Sequence, residues 1–338
     1  MKRGSKKGYE FGFAWIFTIF IGAVVIFLAV YIATQIVGMK QLERESVRGK
    51  KIGVLLTPIE TELEAEKFAT ILVPDETMLF NGCDPPQSLG NPFGSQHIST
   101  SIKSSIGGKW DVKNEQGVKS TFHNKYLFSN QSLHGKEEFY VLSKPFNLPF
   151  KVADLLMLWP DQEKYCFVGF PDYITNELMD LNMANIILSP PASCPPEAKK
   201  VCFGSSCTIR VDIDTFNNKG TVTKEGKTLP YIESFSSGTN EFTLMYAAIF
   251  SDPEIYECQV KRLMAHAEQL ADIYLEKRKN IGCSPILQNP LNQYKSAVST
   301  AADNFKINEP TAATNYLNNV YAKAGGLEIA NNVQCNMF

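Results

Sequence analysis

From Phe11 to Met39 the chain carries no charge; the run FGFAWIFTIFIGAVVIFLAVYIATQIVGM lies between Glu10 and Lys40. About 20 apolar residues cross a hydrocarbon core of about 30 Å as a helix, so this run predicts a transmembrane helix with length to spare for tilt. Trp15 and Tyr31 stand towards its two ends, where aromatic side chains favour the membrane interfaces. The run is longer than the apolar core of a secretory signal, about 7–15 residues. A basic tail (1–10) precedes it and a polar neck (40–51, KQLERESVRGKK) follows.

After the neck the pattern shortens. Lys67–Pro74, Thr77–Phe80, Phe139–Leu142, Phe150–Leu158 and Tyr165–Phe170 are rich in β-branched and aromatic residues and predict strands. Turn signals separate them, among them Asn81-Gly82, Pro85-Pro86, Gly107-Gly108 and Pro190-Pro191. One helix is predicted near Ile174–Leu181. Val201–Ile209 (VCFGSSCTI) reads as a hairpin whose Gly/Ser turn brings Cys202 and Cys207 within disulfide reach. Residues 52–250 thus predict a β-rich domain.

From Ser251 the period becomes helical. Ser251-Asp252-Pro253-Glu254 is a start signal with a capping carboxylate, and Tyr256, Val260, Leu263, Ala267, Leu270 and Tyr274 then form one apolar stripe. Lys277, Arg278 and Lys279 suit the last turn of that helix. A second helix starts at Asn289-Pro290, with Leu291, Tyr294, Val298, Ala301 and Phe305 on its stripe. A third starts near Pro310 and stops at Gly325-Gly326. The fold class expected is α+β: an N-terminal transmembrane helix, a β-rich extracytoplasmic domain and, over 251–338, a C-terminal antiparallel helical bundle.

Charge adds little: 33 Lys+Arg against 35 Asp+Glu give a formal net charge of −2, which argues against nucleic acid as a partner. The cysteines add more. All eight (Cys83, Cys166, Cys194, Cys202, Cys207, Cys258, Cys283 and Cys335) follow the apolar run, and no CxxC occurs. An even set without metal spacing points to disulfides, hence to an oxidising compartment. Cys202–Cys207 is one candidate bridge, with Cys194 competing for the same partners. For the helical part the expectation is Cys283–Cys335, with Cys258–Cys335 as the alternative; a continuous first helix holds Cys258 and Cys283 too far apart to pair.

Lys6-Lys7-Gly8, followed by Tyr9-Glu10 and the apolar run, resembles the class III signal of archaeal type IV pilin-like proteins. The resemblance implies processing at the Lys7-Gly8 pair and a helix that packs into a filament core. The wider layout, an EFGFAWIF opening ahead of a cysteine-bearing domain, resembles single-pass membrane proteins of archaea.

Motifs for chemistry are faint. Asp212-Ile213-Asp214 has the form of a metal-holding DxD, better read as the polar face of a strand. Asp212, Asp214, Asn217 and Gly220 miss the calcium-loop spacing. Thr100-Ser101-Ile102-Lys103 has Thr where an SxxK nucleophile needs Ser, and Lys227-Thr228 continues with Leu. Asn130-Gln131-Ser132 is a glycosylation sequon. His97, His123 and His134 lack motif context, and His266 flanks the helical stripe. No catalytic, cofactor or metal residue is assigned. The expected partners are the lipid bilayer, through Phe11 to Met39, and an unidentified protein or surface ligand. The reading is a single-pass, membrane-anchored extracytoplasmic binding or structural protein. A pilin-like filament subunit and a membrane-tethered envelope-processing enzyme are the alternatives.

Overall fold

In a computed structural model the apolar run forms helix α1 (Phe17–Gln35), long and apolar enough to cross a membrane, with none of that span buried against the rest of the chain. The structure describes Trp15 and residues 17–35, 67–73, 75–87, 90–102, 119–180, 183, 185–188, 193–205, 207–214, 218–235, 241–280 and 285–338. The Lys6-Lys7-Gly8 signal, the 40–51 neck and Cys283 lie outside the described residues.

The chain is α+β, with three sheets and a set of C-terminal helices. A first sheet runs β1 (Lys67–Leu72), β7 (Glu138–Asn147), β8 (Lys151–Pro160), β5 (Tyr126–Phe128). A second, smaller sheet runs β4 (Ser120–Phe122), β3 (Ser95–Ile102), β2 (Thr77–Asp84), β6 (Ser132–Gly135). The third has six strands: β10 (Ile186–Leu188), β9 (Tyr165–Val168), β11 (Lys199–Phe203), β12 (Ile209–Asp214), β13 (Lys219–Lys224), β14 (Lys227–Ile232). Helix α2 (Asp172–Asp180) follows β9; α3 (Thr243–Phe250), α4 (Pro253–Asn280), α5 (Gln288–Asn304) and α6 (Pro310–Gln334) close the chain.

Period-2 alternation in β8 divides the interior. Leu156 and Leu158 face the small sheet and pack with Leu79, Ile98, Leu127 and Val141. Leu155, Met157 and Trp159 point the other way, into the main core. That core runs from Tyr126 to Met337, so strands and C-terminal helices share one interior. At its centre lies α3, all eight of whose residues are buried. It packs against β7 and β8 on one side and β13 and β14 on the other, and Trp159 stacks on Phe250 at 4.4 Å. The β-rich stretch read as far as residue 250 therefore ends in a helix: TLMYAAIF is apolar all round, so it lacks the one-sided stripe that marks a surface helix. Lys224 reaches its C-terminal end, donating to the carbonyls of Ile249 (3.0 Å) and Ser251, and burial pushes its ammonium down to about 8.

Three further local readings change. Val201–Ile209 is not a hairpin: β11 and β12 are parallel, Val201 opposite Ile209 and Cys202 opposite Arg210. The chain doubles back after Gly204, at φ +71°, and restarts alongside itself, the Gly204 N–H bonding Val211 O at 3.0 Å. Asn81-Gly82 is no turn but the middle of β2. Asn81 is buried there, and Gly82 sits opposite His97. Helix α6 runs through Gly325-Gly326 to Gln334 because Leu327 and Asn331, beyond the glycines, are buried. Asn331 also ties down the C-terminal tail, its Oδ1 accepting Met337 N–H at 2.7 Å and its Nδ2 donating to Phe338 O at 2.9 Å.

Helix α5 lies against both α4 and α6, and α6 covers β14. Pro253 opens α4, and the carboxylate of Asp252 just before it accepts the Gln131 N–H at 2.6 Å.

Candidate functional site

Where the first half of α4 crosses β2 and β5, the contact is polar rather than apolar. A chain of buried amides crosses it: Gln259 donates to Gln96 Oε1, Gln96 to Asn81 Oδ1, and Asn81 to Ser129 Oγ at 2.7 Å. One turn on, Arg262 is fully buried. Its Nε donates to Phe93 O (3.2 Å), its Nη2 to His123 O (2.8 Å), and its Nη1 to both Lys125 O and Gln259 Oε1 (2.8 Å each). All four acceptors are neutral carbonyl oxygens, and the guanidinium also lies 4.9 Å over the Tyr126 ring. Burying a charge is costly unless hydrogen bonds replace its hydration; the cage of carbonyls does so, with the charge of Asp84 also favouring the guanidinium, and pins the segments around residues 93 and 123–125 to α4. Tyr126, pushed up to about 12 by burial, keeps its proton, and its hydroxyl lies within hydrogen-bond distance of His266 Nδ1 at 3.0 Å, the two rings stacked. The Cys83–Cys258 disulfide bolts β2 to α4 beside this seam. Gly94 completes it: its φ is +61°, and a Cβ there would lie 2.3 Å from Asp84 O and 2.9 Å from Arg262 Cγ.

On the outer face of the same sheet, three strands bring together Asp84, Ser95, His97 and Thr121. Antiparallel pairing sets Asp84 opposite Ser95, and His97 between Gly82 and Thr121. His97 Nε2 lies 2.5 Å from Asp84 Oδ2, and Nδ1 lies 3.1 Å from Thr121 Oγ1. Ser95 Oγ is 3.1 Å from Nε2 and 3.3 Å from Asp84 Oδ2. The hydrogen bond from His97 holds the Asp84 carboxyl below its ordinary value against the effect of burial, helped by the charge of His97, the Ser95 hydrogen bond and, least, the charge of Lys119. An ionised Asp84 takes the proton-bearing Nε2 as donor. In the neutral tautomer of that arrangement Nδ1 is bare and can accept from the Thr121 hydroxyl. Asp84 and Thr121 are exposed.

The expected residues fall elsewhere. Cys202 and Cys207 are bridged, and Cys166–Cys194 lies against them in one small cluster on the third sheet. Cys335 is disulfide-bonded. The alternative Cys258–Cys335 is excluded, because Cys258 is already paired with Cys83 across a separation of 175 residues. Spacing within the helices could not foresee a partner on a distant strand. Asp212 pairs with Arg210 at 2.9 Å, consistent with the polar face of a strand. Thr100 is fully buried. Asn130 of the sequon is half-buried, its amide donating to Glu163 Oε1 at 3.2 Å. Among the described residues no three His, Cys, Asp or Glu side chains gather as metal ligands. An open groove of about 340 Å³ between α4 and α5, lined by Glu268, Lys295, Ser299 and Asp303 among others, is polar and shallow.

Asp84, Ser95 and Thr121 had no motif to announce them, and His97 none to explain it. The one available signal was the alternation Ser95, His97, Ser99, Ser101, which puts four polar side chains on one face of a strand. Comparison with protein-family models, curated proteins and solved structures gave no match.

Proposed function

We propose that the chain is a single-pass membrane protein, anchored by the Phe11–Met39 run, that displays residues from 67 onward outside the cytoplasm as a binding or structural domain. The observation that carries this reading is the joint occurrence of an unburied apolar helix and a domain whose described cysteines are all disulfide-bonded. Disulfides persist in oxidising compartments, and a bare apolar helix of this length is stable only in lipid or against a partner. In this reading α4, α5 and α6 form an antiparallel bundle laid on the sheets, and the ligand is a protein or surface component. The N-terminal resemblance adds that the chain is archaeal-like, with Lys7-Gly8 as a processing site.

The test is alkylation of intact cells with a membrane-impermeant thiol reagent, with and without an impermeant reductant. Labelling that appears only after reduction supports the reading. Cysteines that label only after lysis, without any reductant, would place the domain in the cytosol and overturn it.

A further inference from the structure

We propose that Thr121, His97 and Asp84 form an acyl-transfer site on the outer face of the small sheet, with Thr121 as nucleophile. The proposal stands apart from the membrane reading and needs no particular topology.

The order of the three groups carries it. A hydroxyl becomes a useful nucleophile when a base accepts its proton and a third group holds that base in the right tautomer. Here the hydroxyl is on one imidazole nitrogen, at 3.1 Å, and the carboxylate on the other, at 2.5 Å. Ser95 does not compete for the hydroxyl's role, because its Oγ lies on the carboxylate side of the ring, near Nε2 and Asp84 Oδ2. Thr121 sits on β4, the edge strand of its sheet among the described residues. Gly82, opposite His97 on the other flank, sets no side chain beside the imidazole.

The step balances without any cofactor. Thr121 Oγ bonds to the carbonyl carbon of an ester as its proton passes to His97 Nδ1. The tetrahedral species then breaks its bond to the leaving alcohol, which takes that proton. Water, losing a proton to the same nitrogen, cleaves the acyl-threonine to a carboxylic acid and restores the hydroxyl. Asp84 is a positioning residue, keeping the proton on Nε2. Ser95 beside the imidazole is buried, but Thr121 and Asp84 are exposed to water; a hydroxyl so exposed suits esters and thioesters better than a resistant amide.

The experiment uses the full chain in detergent micelles with p-nitrophenyl acetate as probe. A burst of one nitrophenolate per chain is expected, with acetyl mapped to Thr121. Thr121→Val and His97→Gln should lower the rate above background at least about 100-fold, while Thr121→Ser keeps the burst. Asp84→Asn should lower the rate and change its pH profile. Thr121 is exposed on an edge, so its Val variant tests the chemistry even if His97→Gln disturbs the fold. No burst in the wild type, acetyl only on lysines or the N-terminus, or an unchanged rate in Thr121→Val would overturn the proposal.

Discussion

Arg262 and its neighbours show how a few side chains decide whether α4 docks. His266 Nδ1 lies within hydrogen-bond distance of the Tyr126 hydroxyl, and burial together with the Arg262 charge holds its pKa below the ordinary 6.5. A folded value below the unfolded one means that the folded state resists protonation. Stability is full above pH about 6.5, declines as the pH falls below it, and is lost as the pH falls through the folded value. His266→Gln keeps an acceptor but cannot charge. The difference in urea midpoint between wild type and this variant should therefore change between pH 7.5 and pH 5; an equal difference at both would show that His266 is not the titrating group. Gly94 gives a second prediction. An added methyl meets Asp84 O and Arg262 Cγ at a positive φ, so Gly94→Ala should cost at least about 2 kcal/mol in urea unfolding.

Elements were legible where burial leaves an apolar period along the chain and illegible where it leaves none. The stripes of α4 and α5 stand out in the sequence, as do the apolar strands β7 and β8, because burial on one or both faces leaves its period in the chain. Helix α3 hides because all its residues are interior. Strand β3 hides for the opposite reason: SQHISTSI is polar yet buried, Gln96 and Thr100 completely so, its amide and hydroxyl groups being satisfied by neighbours that no local window contains. The Asp84–His97–Thr121 constellation shares that fate, since its order exists only once three strands are in register. In α6 local propensity misled. Glycine costs about 1 kcal/mol relative to alanine inside a helix, and burial of Leu327 and Asn331 overrides it. Gly326 has open space around the position a Cβ would take. Gly326→Ala should therefore stabilise the protein by about 0.5–1 kcal/mol, measurable as a raised urea midpoint with unchanged slope.

Across the whole molecule the shared core makes strands and C-terminal helices interdependent, so thermal unfolding should appear as one transition in both helix and aromatic signals. Cys83–Cys258 reinforces that unity. On the chain-entropy view, closing a loop of this size stabilises by about 5 kcal/mol, so Cys83→Ser with Cys258→Ser should lower the urea midpoint well beyond what either neighbouring contact could explain.

The same bond also has a mechanical meaning. A protein held by its first residues and loaded through its last transmits tension along the covalent path, and that path takes the short cut from Cys83 to Cys258. The 175 residues of sequence separation it bypasses correspond to roughly 600 Å of extended chain. Stretched between its ends under oxidising conditions, the domain should not release the chain between Cys83 and Cys258; that length should appear only when reductant is added, the parts held by Cys166–Cys194 and Cys202–Cys207 following as those bridges are reduced too. In the proposed membrane-anchored arrangement, the far-reaching disulfide would let the domain give a little under load and then stop.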